Sequence, residues 1–540
     1  MQTLNAKRWL PPMLIKLFAG VLICLATSAS AFALGEGKGL QRANESLKNG
    51  DYETAEKQFR ELLSKNAHDE EARLGLSFSL LKQRRLQDAY DHAARVVLTD
   101  PLSPRAHALL GTVVLTSGDF RSSVEEFRTA LSLQDNEAMA VAGLAMVDFY
   151  ENRLSTSIRG LRRAVDLDPS EPDYLFDLGQ ATARNELYKE AADAYERFLA
   201  VAPKTDADRR ARIRGLIDFL RYLGKQGTLY VLGGESKTIM PFESIDGRPI
   251  LKVRVNNNRD TLRFVLDTGS GMSVISEETA KKLGVKPVAR GGQARAVGGG
   301  GKFEIVYGFL DSIDVGGVKV DSVPVYIRHF YDEKTPADGY LGLSVIAKFI
   351  ASVDYGQNIF MLRRPSESNV KDLWGVPISK NVLAPLPPGV MEIPLRTTSS
   401  GFLSGEVHLE GIERPLNFIV DTGASVSVVS ERLAQEEELT TYLEPTRLRI
   451  YGAAGIAEDV KSLLLPKVML GTLTRERISA AILDLEPVNE TAGFTQMGIL
   501  GGNYLRHFRV SFDFQRGLIR LEPLANTMGN DPRRPDEHLD

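Results

Sequence analysis

The chain has 540 residues, of which 43% are hydrophobic and 25% charged, with a formal net charge of −4. That length calls for several domains, the composition is ordinary for globular proteins, and a charge so small gives no electrostatic case for nucleic-acid binding. One cysteine in the whole chain excludes a disulfide framework.

Residues 1–33 read as a signal peptide. Lys7 and Arg8 supply positive charge, Leu17 to Ala26 form a short apolar run, and Ala31-Phe32-Ala33 offers the small residues of a cleavage site, so processing is expected after Ala33. The apolar run is short for a membrane span; an uncleaved anchor is the alternative. Cys24 lies inside this run, so the mature chain is expected to carry no thiol. Export to a periplasm or the extracellular medium is the implied localisation, with no membrane span left after cleavage.

Residues 38–204 repeat at a spacing of about 34. Tyr52, Leu86, Phe120, Leu154 and Tyr188 fall at equal intervals, and a small residue follows three positions after each: Ala55, Ala89, Ser123, Ser157 and Ala191. Leu76, Leu110, Leu144 and Leu178 mark the partner helices, and Pro101, Pro169 and Pro203 recur near repeat ends. The pattern resembles tetratricopeptide repeats, in about five copies. One helix pair cannot bury its apolar face, so the pairs stack into an all-α solenoid. The resemblance implies a protein partner on the concave face. Residues 205–234 read as a capping amphipathic helix, Asp206 to Leu223, and a linker from Gly224 to Gly234.

Beyond Gly234 the helical period gives way to strand-like alternation and frequent glycine. Here a phrase is written twice. Phe264-Val-Leu runs into Asp267-Thr268-Gly269-Ser270, and Phe418-Ile-Val runs into Asp421-Thr422-Gly423-Ala424. The match continues through Ser273-Val-Ile-Ser276 and Ser427-Val-Val-Ser430. In each copy a strand pair delivers the aspartate and a serine then caps a helix: Ser276 or Ser430. Near the ends, Tyr340-Leu341-Gly342 matches Ile499-Leu500-Gly501, and Phe349, Ser352 and Asp354 align without a gap on Phe508, Ser511 and Asp513. The chain thus predicts two related all-β lobes, 235–365 and 389–524, joined by a proline-rich connector at 366–388 and followed by a disordered tail at 525–540.

An apolar strand into Asp-Thr-Gly, with a later pair of apolar residues and glycine, resembles the aspartic proteases of the retropepsin and pepsin type. The resemblance covers about residues 236–524 and implies two lobes whose Asp-Thr-Gly loops meet, as in a single-chain pepsin built from retropepsin-sized halves. Asp267 and Asp421 would be the catalytic pair, sharing one proton because neighbouring like charges resist joint ionisation. Thr268 and Thr422 would cross-bond the loops, Gly269 and Gly423 would let them approach, and Gly342 and Gly501 would support them. The flaps implied are Ala294–Lys302, with Gly298, Gly299 and Gly300, and Leu448–Gly455, with Tyr451 and Gly452. Ser270 stands opposite Ala424, so an asymmetric dyad is expected.

No metal and no cofactor are called for. The seven histidines are scattered without a His-Glu-x-x-His zinc motif, and no Gly-x-Ser-x-Gly elbow occurs. The leading expectation is an exported aspartic endopeptidase acting on polypeptides. Two alternatives stand beside it: a repeat scaffold whose protease-like lobes bind peptide without cutting it, and an enzyme active only as a dimer between chains.

Overall fold

A computed structural model describes residues 37–332, 336–365 and 386–524. The signal-peptide, connector and tail expectations therefore lie largely outside the described residues. The described chain divides into two compact units, one holding residues up to Val114 with Glu125–Glu137 and Pro203–Thr205, the other holding Leu115–Val124, Ala138–Ala202 and everything from Asp206 onward.

The repeats are helices α1 (37–48), α2 (Tyr52–Lys65), α3 (Glu70–Lys82), α4 (Leu86–Thr99), α5 (Pro104–Ser117), α6 (Phe120–Leu133), α7 (Ala138–Tyr150), α8 (Leu154–Leu167), α9 (Pro172–Arg184), α10 (Tyr188–Val201) and α11 (Ala207–Leu223). Each of the five periodic large residues is the first residue of its helix. The small residues three positions on are fully buried. In the first unit, Asp51 and Asp69 start α2 and α3 by accepting from the backbone N–H of Thr54 and Ala72. In the second, Asp206 caps α11 by accepting from the Arg209 N–H.

The first lobe contains β1 (Val231–Gly234), β2 (Lys237–Pro241), β3 (Glu243–Ile245), β4 (Arg248–Val255), β5 (Leu262–Leu266), β6 (Val274–Ser276), β7 (Ala289–Arg295), β8 (Lys302–Val315), β9 (Val318–Arg328), β10 (Gly339–Leu341), β11 (Ile350–Asp354) and β12 (Ile359–Arg363), with helices α12 (Glu277–Leu283) and α13 (Leu343–Ile346). The second contains β13 (Met391–Pro394), β14 (Arg396–Thr397), β15 (Leu403–Leu409), β16 (Leu416–Val420), β17 (Ser427–Ser430), β18 (Leu443–Gly452), β19 (Gly455–Leu470), β20 (Leu473–Leu483), β21 (Gly498–Leu500), β22 (Phe508–Asp513) and β23 (Leu518–Pro523), with α14 (Glu431–Glu436), α15 (Glu486–Ala492) and α16 (Gly502–Leu505). One boundary differs from the sequence reading. β1 falls inside the expected linker and pairs antiparallel with β9, Val231 opposite Asp321 and Gly234 opposite Val318.

The first sheet runs β1-β9-β6-β10-β5-β4-β8-β7 with β3 beside β4, and the pairing of β8 with β9 folds it back on itself. The second runs β14-β15-β16-β21-β17-β20-β19-β18, and β15 pairing with β19 does the same there. A six-stranded sheet, β13-β23-β22-β11-β12-β2, takes strands from both lobes. At its centre β11 and β22 run antiparallel with Ser352 opposite Ser511, their hydroxyl oxygens 2.6 Å apart. These are the two residues that the internal repeat aligns, so the approximate two-fold axis relating the lobes passes between them. The apolar core is continuous across this sheet: Phe349, Phe360, Phe508 and Phe512 are all buried in one cluster.

Helix α11 packs along the first lobe. Phe219 stacks on Tyr307 of β8 with ring centroids 4.2 Å apart and planes 19° apart. Gly215 lies so close to β7 that a Cβ there would sit 2.0 Å from the Arg290 carbonyl oxygen. Asp208 pairs with Lys302 at 2.6 Å, and Arg212 donates to the Gln293 carbonyl at 3.0 Å. The Phe219→Ala substitution should therefore lower stability by about 3–5 kcal/mol, the usual cost of emptying a buried aromatic site; chemical denaturation of the two proteins side by side measures it.

Candidate active site

Each candidate aspartate sits where a strand ends against a parallel neighbour. β10 runs parallel to β5 and β21 parallel to β16. The Asp267 N–H donates to the Leu341 carbonyl at 3.0 Å, and the Asp421 N–H to the Leu500 carbonyl at 2.9 Å. The apolar-apolar-glycine stretches therefore fix the two loops from behind. Ser273 and Ser427 complete this support, their hydroxyls accepting from the Gly342 and Gly501 N–H groups at 3.0 and 3.1 Å. A side chain at Gly342 would meet Met272 backbone at 2.7 Å, and one at Gly501 would meet Val426 at the same distance.

The loops then lock to each other. The Thr268 hydroxyl donates to the Val420 carbonyl at 2.8 Å and accepts from the Thr422 N–H at 3.1 Å. The Thr422 hydroxyl donates to the Leu266 carbonyl at 2.7 Å and accepts from the Thr268 N–H at 3.2 Å. Both threonines are fully buried. A Cβ on Gly269 would lie 2.4 Å from the Asp421 carboxyl carbon, and one on Gly423 would lie 2.7 Å from an Asp267 carboxyl oxygen. Glycine is thus the only residue that leaves each carboxyl its place. Each carboxyl thus lies against the opposite loop, near enough for the Asp267 charge to act on Asp421. Both belong to one chain, so this pairing needs no second copy.

Their surroundings are unequal. Asp267 accepts from the Gly269 N–H at 2.9 Å and from the Ser270 hydroxyl at 2.5 Å. Asp421 accepts from the Gly423 N–H at 2.7 Å and from the Ala424 N–H, with no hydroxyl in the Ser270 position. Burial pushes both carboxyls above the usual range. For Asp267 the Ser270 hydrogen bond, the Gly269 N–H and the Arg328 charge hold the rise back. For Asp421 the Asp267 charge adds to burial, and its carboxyl rises well above the usual value. The Ser270 hydroxyl and the Arg328 charge thus favour the charged form of Asp267, while Asp421 is raised further. Tyr340 of β10 stands near both acids, and burial pushes its hydroxyl up to about 12.

Both stretches expected as flaps are hairpin tips. β7 pairs with β8 around residues 296–301, and β18 pairs with β19 through Gly452 and Gly455 around Ala453-Ala454. The tips touch. Gly298 and Gly299, both at positive φ, leave room for a Cβ only at 2.7 and 2.6 Å from the backbone of Gly452 and Gly455. Gly300 also has positive φ but faces open space. Tyr451 is half-buried, with the Arg449 guanidinium over its ring at 5.4 Å.

Sequence reasoning missed Tyr340 as a site neighbour, although its strand was part of the repeat. It also missed Arg328, at the end of β9, which has no motif to mark it. Helices of the repeats reach the second lobe as well. Phe120, Tyr150 and Phe494 form a ring cluster with Phe494 4.9 and 5.0 Å from the other two, and the Thr495 N–H donates to the Thr116 carbonyl at 2.9 Å.

Comparison with known proteins agrees with this architecture. The sequence model of the aspartyl protease family matches residues 251–345 and again 405–504. Two tetratricopeptide-repeat models match residues 46–112 and 142–207. The chain is accordingly a tetratricopeptide-repeat protein joined to a duplicated aspartyl-protease-like region. Among solved structures it is similar to a thermophilic TPR protein from Thermus thermophilus (21% identity, 34% of this chain and 98% of that one, TM-score 0.30). It is also similar to pilF of Pseudomonas aeruginosa (12%, 35% and 85%, 0.27) and to YrrB, described as a TPR protein with an unusual peptide-binding site (17%, 32% and 93%, 0.21). No curated protein matched the chain.

Two titration results follow. Ser270→Ala removes a hydrogen bond that favours the charged form, so the first carboxyl titration, followed by carbon NMR of the aspartates, should move to higher pH. The folded pair titrates above its unfolded value, so its contribution to stability is complete at low pH and is lost as pH rises through the raised values. Asp421→Asn should flatten that loss, seen as a shallower fall of melting temperature with rising pH.

Proposed function

We propose that the chain is an exported aspartic endopeptidase whose repeats bind protein. The observation that carries this reading is the placement of the Asp267 and Asp421 carboxyls together, each against the glycine of the opposite loop and held there by the crossed Thr268 and Thr422 hydrogen bonds. Two carboxyls sharing a proton are equipped for general acid–base work on an amide. In the proposed reaction the ionised Asp267 takes a proton from a water held between the acids. That water attacks the scissile carbonyl while Asp421 donates its proton to the carbonyl oxygen. The resulting tetrahedral species then collapses with proton transfer to the leaving nitrogen, and no covalent enzyme intermediate forms. Because both carboxyls are raised, the singly protonated pair extends toward neutral pH, and the proposed optimum lies above that of a dyad with ordinary carboxyl values.

The roles proposed for the other residues follow their contacts. Thr268, Gly269, Thr422 and Gly423 hold the dyad, Ser270 biases its proton, and Gly298, Gly299 and Gly452 let the tips close. The signal-like N-terminus supports export to a periplasm or the medium, and the repeats support docking of a polypeptide substrate or an assembly partner.

Purified protein should cleave an unstructured polypeptide at specific peptide bonds, detected by mass spectrometry. Asp267→Asn and Asp421→Asn should each reduce the rate by at least about 10²- to 10⁴-fold, the range that a positioned acid or base supplies. Undiminished cleavage by both variants would rule the assignment out. Peptide binding that persists in both, with no products from the parent protein, would instead establish a non-catalytic binding module.

A further inference from the structure

A cation stands beside this dyad that the proposed hydrolysis does not use. Arg328 is the last residue of β9, paired in register with Ser276 at the end of β6. Its side chain is half-buried and reaches both hairpin tips. The guanidinium lies over the Phe303 ring, 3.9 Å from its centre, at the root of the first tip. It also donates to the Ala453 carbonyl at the turn of the second. Its charge is felt by Asp267 and it lies near Tyr326, Tyr331 and Tyr340.

The partners are unusual for a guanidinium so placed. Arginine carries five N–H donors in a planar fork suited to a carboxylate. Here one backbone carbonyl and one aromatic face are its contacts, and among the described residues no carboxylate lies within ion-pairing distance of it. A charge partly removed from water and given only a carbonyl is held below its best pairing, and a bidentate carboxylate is the stronger partner. The electrostatic setting fits the same ligand. An acidic group entering beside ionised Asp267 would be repelled, and a fixed cation at this place offsets that repulsion.

We propose that Arg328 is a specificity-determining residue that receives a carboxylate of the substrate, so that the site favours peptides with an acidic group close to the scissile bond. On binding, the carboxylate takes the guanidinium from the Ala453 carbonyl, which frees the second tip while the first stays stacked through Phe303. The carboxylate can come from an Asp or Glu side chain or from the peptide's own C-terminus.

This inference rests on the proteolytic reading, and two readouts separate them. The first is kcat/KM of the wild-type protein and of Arg328→Met, Arg328→Gln and Arg328→Lys on matched fluorogenic peptides. These carry Glu or Gln at each position flanking the cut, each with a free or amidated C-terminus. The second is fluorescence-anisotropy binding of the same peptides to the Asp421→Asn protein with and without Arg328→Met. Wild type should prefer the carboxylate peptide at least about tenfold, mainly through KM. The preference should fall to near one in the Met and Gln variants and survive in part in Lys. A Glu effect independent of C-terminal amidation identifies a side-chain carboxylate, and the reverse identifies the C-terminus. Acid-dependent binding that Arg328→Met removes, without any cleavage, upholds the role of Arg328 and sinks the protease reading. Cleavage with no acid preference, or with a preference that the Met and Gln variants retain, overturns the proposal.

Discussion

Everything at the centre of this protein depends on two buried hydroxyls that each bond across to the other lobe. Thr268 and Thr422 donate to a carbonyl and accept from an N–H of the opposite loop. Four hydrogen bonds in a closed exchange leave no polar group unpaired in a buried place, and an unpaired one there is costly. The exchange also fixes distance. It brings the backbones near enough that each glycine faces the other lobe's carboxyl, and the carboxyls then meet. The acids lie together because the threonines and glycines hold the two strand ends together.

Symmetry ends where the titrating groups begin. The lock is two-fold, and so are the supports from Ser273 and Ser427 and the central pair Ser352 and Ser511. Ser270 against Ala424 breaks the equivalence within hydrogen-bonding range of the carboxyls, and Arg328 breaks it a little further out. A duplicated scaffold thus carries an unequal pair: one carboxyl with a hydroxyl and a cation to favour its charge, the other facing that charge without them. In a site built from two identical lobes the proton would have no preferred side.

Much of this was legible in the chain because the duplication writes its constraints twice. The matching Asp-Thr-Gly phrases, the later apolar-apolar-glycine and the aligned Ser352 and Ser511 mark positions where backbone must touch backbone, and few residues fit such places. The periodic large and small residues of the repeats were legible for the same reason, since Phe120 or Tyr188 begins a helix wherever the period places it. The strand at Val231–Gly234 was hidden, because four residues give too little pattern to separate strand from linker. Arg328 was hidden for a different reason. A lone arginine after a strand looks like any solvated charge, and only the fold brings Phe303 and Ala453 to it. The Ser270–Ala424 difference told that the dyad would be uneven; which way it leans depends on burial and on neighbours distant in sequence.

The contact of α11 with β7 gives the two hairpins different mechanical standing. The first has the last helix of the repeats at its back, with Gly215 against the Arg290 backbone and Asp208 tied to Lys302, so raising it means prising it off a wall. The outer strand of the second, β18, is half exposed, and its Leu448 and Ile450 pack on the Val428–Val460 cluster of their own lobe instead. One hairpin is thus braced by the repeats and the other by its own lobe. Any strain that bends α11 would therefore be delivered to the first hairpin and not directly to the second.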